Sequence, residues 1–346
     1  MQRPLIVITG AAGRIGFSAV QRFSKNYQVI GLDIIPLPKT LENIIHIKTD
    51  CSSEESVAAA FAEIKQRFGM RIASIIHLAA YYNFTGGEWS MYEKITIGGT
   101  RNLLKTAQAF EVEQFIFSST MLVHAPCKVG ETINENSPID PKWEYPLSKV
   151  KTEELMHAEH GHIPILILRI AGVYDDYCHS IPISNQIQRI YEKQLESHVY
   201  PGHLDHGASF VHMDDLVESL WLSVEKRDKL PEDLTLLVGE EQTLSYLQLQ
   251  DIIGQEIWGK PWWTLSLPKW FAKMGATVQD MLPWGKKSFI KPWMIDIADD
   301  HYVMNTMQAR QQLGWQAQKN LRTTLPRMID ALKKDPKTWY KVHGLQ

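Results

Sequence analysis

Tyr145 and Lys149 stand four residues apart in the stretch WEYPLSK, with Pro146 directly after the tyrosine. On a helix that starts at the proline, whose missing N–H costs nothing in the first turn, this spacing puts a phenol and an ammonium group about one turn apart on the same side. Such a pair can move a proton. A free phenol has a pKa near ~10 and is a poor base at neutral pH, but a neighbouring cation favours the phenolate. The same spacing also fits an ordinary amphipathic helix, so the pair acquires chemical meaning only from what accompanies it.

A second constellation lies near the start of the chain. TGAAGRIG places Gly10, Gly13 and Gly16 at three-residue intervals, after an apolar run and before a helical pattern. Gly10 permits a tight turn, Gly13 lets the backbone approach a pyrophosphate, and Gly16 lets helix and strand pack closely. The helix N-terminus adds free N–H groups and a positive dipole. The loop residues Ala12, Arg14 and Ile15 are expected to line the same phosphates. Asp33 follows Gly13 by twenty residues, at the end of the second strand. A carboxylate there accepts hydrogen bonds from the adenosine ribose hydroxyls and repels a 2′-phosphate, so NAD is expected rather than NADP. Arg14 is the competing signal for a 2′-phosphate; it reads instead as a solvated residue of the first helical turn.

Positioning these groups falls to alternating strands and helices. Short apolar runs suit buried parallel strands at Leu5–Gly10, Tyr27–Asp33, Ile44–Asp50, Ile72–Ala80, Gln114–Thr120 and Pro164–Tyr174. Helical patterns separate them at Arg14–Lys25, Glu54–Phe68, Glu88–Phe110 and Pro146–His160. The fold class is α/β: a Rossmann-type doubly wound parallel sheet with a smaller C-terminal substrate lobe. The NAD-binding domain is expected over residues 1–174, with 208–226 returning to it, and 175–207 and 227–346 mostly form the lobe and closing helices. In the second half, Ser209–Lys226 reads as a strand and a helix capped by Asp214 or Asp215. Thr243–Gly259 reads as a helix with Thr243 or Ser245 near its start, and Gln308–Trp315 and Thr324–Lys334 as closing helices.

Composition narrows the function classes. The 346 residues are 44% apolar, with a net charge of −3 and a pI near 6.5, so there is no basic excess for a nucleic acid. Cys51, Cys127 and Cys178 are odd in number and form no Cys-x-x-Cys pair, which argues against a disulfide scaffold and a cysteine zinc site. No metal is expected. No apolar run approaches the ~20 residues of a membrane span. The first apolar run reads as a strand rather than a signal peptide, and a cytoplasmic protein is expected.

Taken in order, TGAAGRIG, Asp33, Asp50, HLAA (His77–Ala80), GGTRNLL (Gly98–Leu104), FSST (Phe117–Thr120), YPLSK, LRIAGVY (Leu168–Tyr174) and FVHMDD (Phe210–Asp215) form a recognisable series. Their order and separations resemble the extended short-chain dehydrogenase/reductase superfamily, in its NAD-dependent epimerase/dehydratase branch, over nearly the whole chain. The resemblance implies that Asp50 and Cys51 sit by the adenine. Leu78, Ala79 and Ala80 would line the ribose and pyrophosphate, with Ser118 and Ser119 beside the cofactor. Thr120, twenty-five residues before Tyr145, matches the catalytic hydroxyl, with Ser119 as the alternative. Tyr145 would be the acid/base, Lys149 its partner and a ribose ligand, and the backbone at Ile170 and Val173 would approach the nicotinamide. It also implies a homodimer paired through the helices at Glu88–Phe110 and Pro146–His160.

Departures from the family pattern bear on the substrate. Nucleotide-sugar enzymes of the family carry an Asn and an Arg that grip the diphosphate, at positions that are Gly172 and Ala208 here. A missing guanidinium is hard to replace, and His203 and His206 read as solvated loop residues rather than as a substitute. The dehydratases' acid pair after the catalytic Thr is Met121 and Leu122, and the usual Asn before xGT is Thr96. Pocket candidates are Tyr82, Asn83, Phe84, His124 and Tyr174. Six of the eleven tryptophans fall between Trp258 and Trp293, interleaved with lysines, as a packed lobe or else as an apolar lid or an interfacial patch for a membrane or lipid-like substrate. The expected activity is an NAD-dependent oxidoreductase acting on a secondary alcohol or ketone without a nucleotide diphosphate. A nucleotide-sugar epimerase and a non-catalytic NAD(H)-binding protein are the alternatives.

Overall fold

A computed structural model describes residues 3–38, 44–83, 86–272 and 292–345. Phe84 and Lys273, Lys286, Lys287 and Lys291 of the Trp/Lys-rich stretch lie outside the described residues.

Seven strands form one sheet: β1 (Leu5–Thr9), β2 (Gln28–Asp33), β3 (Ile44–Lys48), β4 (Ser74–His77), β5 (Phe115–Thr120), β6 (Ile165–Ile170) and β7 (Asp233–Val238). Across the sheet they run β7-β6-β5-β4-β1-β2-β3, and every neighbouring pair is parallel. The chain builds outward from β1 to β3, then returns to set β4 on the opposite flank of β1. That reversal opens a crevice beyond the C-terminal ends of β1 and β4, where doubly wound sheets bind their ligands.

Strand alternation divides the apolar residues between two faces. Ile6 and Ile8 pack with Val20 and Phe23 of α1 (Arg14–Phe23). Leu5 and Val7 face the other way, toward Phe61 of α2 (Glu54–Phe68), Leu103 of α3 (Gly99–Ala107) and Met156 of α4 (Glu144–Glu159). A separate cluster joins Ile187 of α5 (Ile181–Tyr191), Ile253 of α7 (Tyr246–Trp258) and Leu325 of α8 (Leu321–Lys334) in the lobe. Helix α6 (Met213–Glu225) sends Leu216 and Leu220 into the sheet's first face.

Several elements differ from the sequence reading. The strand β7 belongs to the sheet rather than the lobe, paired with β6 through six residues from Asp233 to Val238. Ala309, Leu313 and Trp315 likewise pack into the sheet's core. The run Pro164–Tyr174 splits at Ala171: its first part is β6, and Gly172–Tyr174 pairs instead with Phe210–His212. The expected helix Glu88–Phe110 contains a π-helical segment, Tyr92–Gly98, before α3. Helix α6 is capped by His212, whose Nδ1 accepts the Asp214 N–H at 3.1 Å, and not by either aspartate. Asp215 instead holds the tail, accepting N–H bonds from Gln318 and Lys319 at 3.1 and 2.8 Å. Helix α7 starts at a Ser245–Gln248 capping box. Among the described residues no helix is long and apolar enough to cross a membrane.

Candidate active site

The glycine loop joins β1 to α1. Gly10 has φ +66°, and a Cβ there would stand 2.8 Å from the Ala79 nitrogen. A Cβ at Gly16 would fall 2.0 Å from the Gly10 oxygen, so the helix could not approach the strand. Gly13 is different: it is exposed, and only the Gly10 oxygen lies near its missing side chain. The loop thus presents bare backbone outward, and α1 begins at Gly13 with no side chain capping its first amides. These features fit a pyrophosphate. Asp33 at the end of β2 faces the same loop. Its carboxylate accepts the Ala12 N–H and the Ile35 N–H, each at 2.9 Å, and keeps lone pairs for a ribose diol. Arg14 is exposed on the first turn of α1.

Across the crevice, Thr9, His77, Thr96 and Thr100 shape the HLAA turn. The Thr100 hydroxyl donates to the Thr96 carbonyl at 2.7 Å, so its oxygen accepts from Nε2 of His77 at 2.9 Å. The Nδ1 of His77 is therefore the acceptor for the Thr9 hydroxyl at 2.6 Å. Thr9 Oγ1 in turn accepts the Leu78 and Ala79 N–H groups, both at 3.2 Å. Burial, helped by the Lys149 charge, pushes His77 down to about 3, which keeps the ring neutral as this chain of bonds requires. Thr96 Oγ1 accepts the Tyr81 N–H at 3.0 Å and fixes the next stretch. Sequence reading missed the Thr9–His77–Thr100 chain.

Strand β5 and helix α4 bring the proton-transfer candidates together. Thr120, the last residue of β5, is buried near the Tyr145 phenol, and its hydroxyl accepts the Leu122 N–H at 3.3 Å. Ser119, the alternative hydroxyl, donates to Glu153. Lys149 is 2% exposed; its ammonium lies 2.7 Å from the Ser118 carbonyl and 5.8 Å from the centre of the Tyr145 ring. Burial pushes Lys149 down to about 7, and Glu153 pulls it back up. Burial, together with Tyr82, raises Tyr145 above the ordinary phenol value, and Thr120 works against that rise.

Around Tyr145 the walls are aromatic. Tyr82 meets its ring edge-on at 4.9 Å between centroids, Trp143 lies at 5.4 Å, and Trp293 stacks on Trp143 at 5.2 Å. The adjoining cleft, about 720 Å³, is lined by Tyr81, Asn83, Met91 and both tryptophans, with Glu88, Glu144 and Lys142 its charged residues among those described. Met121 and Leu122 pack into the core and offer no acid or base. At Gly172 any Cβ would meet the Phe210 ring at 2.7 Å, so an Asn does not fit there as the chain stands. Ile170 ends β6 and is buried, and Val173 lies half-buried in the Gly172–Tyr174 strand that follows. Asp50 and Cys51 follow β3. Cys51 is buried against Gly99 and pushed up to about 12, so it is a neutral thiol.

Two pocket candidates are elsewhere. His124 is fully buried, with Nδ1 at 3.1 Å from the Ser137 carbonyl and Nε2 at 3.1 Å from the Arg169 guanidinium. Arg169 also binds Glu153, at 2.7 Å through one nitrogen, behind the site. Tyr174 sits in the lobe core against Phe210 and His212. Both residues are packed inside because the arginine and the lobe cluster claim them.

A family model described as the NAD dependent epimerase/dehydratase family matches residues 6–239. Among curated proteins the chain is 28% identical over 180 residues to L-arabinose 1-dehydrogenase (NAD(P)(+)) of Haloferax volcanii, covering 48% of this chain and 65% of that protein. It is 26% identical over 192 residues to sterol-4-alpha-carboxylate 3-dehydrogenase, decarboxylating, of Candida albicans, covering 49% of this chain and 50% of that protein. Its fold is similar to the UDP-glucuronic acid 4-epimerase of Bacillus cereus, solved with UDP-glucuronic acid and NAD. The TM-score is 0.71 at 21% identity, over 95% of this chain and 99% of the other.

Proposed function

Since the chain belongs to the NAD-dependent epimerase/dehydratase family, we propose that it oxidises or reduces a secondary alcohol or ketone with Tyr145 as acid/base and NAD as the redox partner. The observation that carries this reading is the convergence of buried Thr120 and Lys149 on Tyr145 beside the crevice, with the Lys149 ammonium 5.8 Å from the phenol ring.

Gly10, Gly13 and Gly16, with the amides of Ala12 to Gly16, would hold the pyrophosphate, and Asp33 the adenosine ribose. Asp50 and Cys51 would lie toward the adenine, Leu78, Ala79 and Ala80 along the ribose and phosphates, and Ser118, Ile170 and Val173 toward the nicotinamide. Bound NAD supplies the hydride acceptor at nicotinamide C4. Thr120 donates to the substrate oxygen and holds it near Tyr145. In the oxidising direction Tyr145 must take the hydroxyl proton as a phenolate. Burial opposes that state, and the Lys149 ammonium supports it. In the reducing direction the neutral phenol is already the proton donor. Lys149 spends one N–H on Ser118, leaving two for a ribose hydroxyl.

The aromatic surround of Tyr145, and Lys142 as the described cleft's one cation, favour an apolar or aromatic substrate without a diphosphate. The same reading pairs two copies through the outer faces of α3 and α4, which Arg101 and Glu159 link at 3.2 Å. Light scattering that finds a monomer at micromolar concentration rejects that pairing. The test of activity is a panel of cyclic and aromatic secondary alcohols with NAD, followed by NADH absorbance. A net rise supports the dehydrogenase reading. Turnover of a UDP-sugar with tightly held NAD and no net change replaces it with epimerisation.

A further inference from the structure

The segment His203-Leu204-Asp205-His206 lies in the lobe, outside the groups assigned to hydride transfer. One ligand atom from each of His203, Asp205 and His206 lies within 4.8 Å of the others. Two ligands of one ion can stand ~4 Å apart, given metal–ligand bonds of about 2.1 Å, so small side-chain rotations close the remaining gap. His203 and Asp205 are exposed and free to make such rotations.

The loop is held in place from several sides. The His203 N–H donates to Asp299 Oδ2 at 3.1 Å, and the Leu247 N–H donates to the Leu204 carbonyl at 3.0 Å. The Tyr246 N–H donates to the His206 carbonyl at 2.7 Å, and the Gly207 N–H to Nδ1 of His301 at 3.0 Å. The two imidazoles stack with centroids 4.9 Å apart and planes 25° apart, so they present themselves together.

His206 is also set in one tautomer. Its Nδ1 bonds the Asp299 carbonyl, which can only accept, so Nδ1 carries the proton and Nε2 carries the lone pair. A backbone carbonyl behind a ring nitrogen is the usual support of a metal-binding histidine. The nearby cation, Lys269, is paired with the Asp299 carboxylate.

We propose that His203, Asp205 and His206 bind one divalent transition-metal ion. Two imidazoles and one carboxylate suit Zn²⁺, Ni²⁺ or Co²⁺ better than Mg²⁺ or Ca²⁺, which take oxygen ligands. Three protein ligands leave further positions to water, which the exposure of the loop allows.

The test uses tag-free, chelator-treated protein titrated with Zn²⁺ against a chromophoric competitor, and with Co²⁺ followed by its visible absorption. One equivalent per chain is expected. His203→Ala and Asp205→Asn, both at exposed positions, should each weaken binding by at least about tenfold, the effect even of outer partners on metal affinity. His206→Ala should do the same, and if it fails to fold the two exposed variants decide. No binding to the wild-type chain overturns the proposal. So does binding that survives unchanged in His203→Ala and Asp205→Asn, which would place the ion elsewhere, for instance at the half-buried Cys127.

Discussion

The Lys149 ammonium donates a 2.7 Å hydrogen bond to the Ser118 carbonyl, tying helix α4 to strand β5 two residues before Thr120. The tie sets the proton-transfer groups side by side, and it buries a charge to do so. Lys149 is pushed from an ordinary 10.5 down to about 7. Between those values the unfolded chain holds a proton that the folded chain has released. Stability therefore rises with pH from about 7 toward 10.5, at up to ~1.4 kcal/mol per unit for this one group. Lys149→Met removes the contribution. In urea titrations at pH 7.5 and 9.5, the wild type should gain on the variant at the higher pH; parallel changes would contradict the depressed value.

Behind this tie sits a buried ion pair. Glu153 and Arg169 are 4% and 8% exposed, and they share their remaining bonds with Ser119, His124 and the Glu135 carbonyl. Removing one partner leaves the other charge buried, which costs about 3–5 kcal/mol. Glu153→Ala or Arg169→Met should each lower the unfolding free energy by that amount in chemical denaturation. The double replacement by apolar residues should lose less than the two single losses added together. A single variant within the error of wild type would show that the pair is dispensable.

Under the proposed function, Asp33 makes the choice between NAD and NADP. Its two carboxylate oxygens are bonded to the Ala12 and Ile35 amides, so the group is held at the edge of the loop. Asp33→Asn keeps an amide oxygen for the loop and removes the charge that repels a 2′-phosphate. Hydrogen bonds to charged groups contribute about 1.5–3 kcal/mol, so the NADH-to-NADPH affinity ratio should fall roughly tenfold or more in fluorescence titrations. An unchanged ratio would assign the selectivity elsewhere.

The sheet and its glycine loop leave local marks that a sequence carries openly. Apolar runs mark β1 to β6, and the glycines at 10 and 16 each answer a steric demand that the structure displays. The strand β7 was hidden because DLTLLV is a short apolar run whose place beside β6 depends on pairing with residues far upstream. The π segment Tyr92–Gly98 was hidden because one extra residue in a turn shifts a helical pattern without erasing it. The chain of bonds through Thr9, His77, Thr96 and Thr100 joins residues that only the fold brings together. His124 and Tyr174 follow motif residues and so read as pocket walls. Arg169 and the lobe core draw them inward.

The central claim is that Tyr145 moves the substrate proton. Its most direct measurement compares steady-state NADH formation by wild type and Tyr145→Phe on the alcohol that the wild type turns over fastest, with NAD binding measured in parallel. Loss of the phenolic hydroxyl should lower turnover by ~10²–10⁴-fold, the usual range for a positioned acid/base, while NAD affinity stays the same. Turnover by Tyr145→Phe close to the wild-type rate would contradict the account.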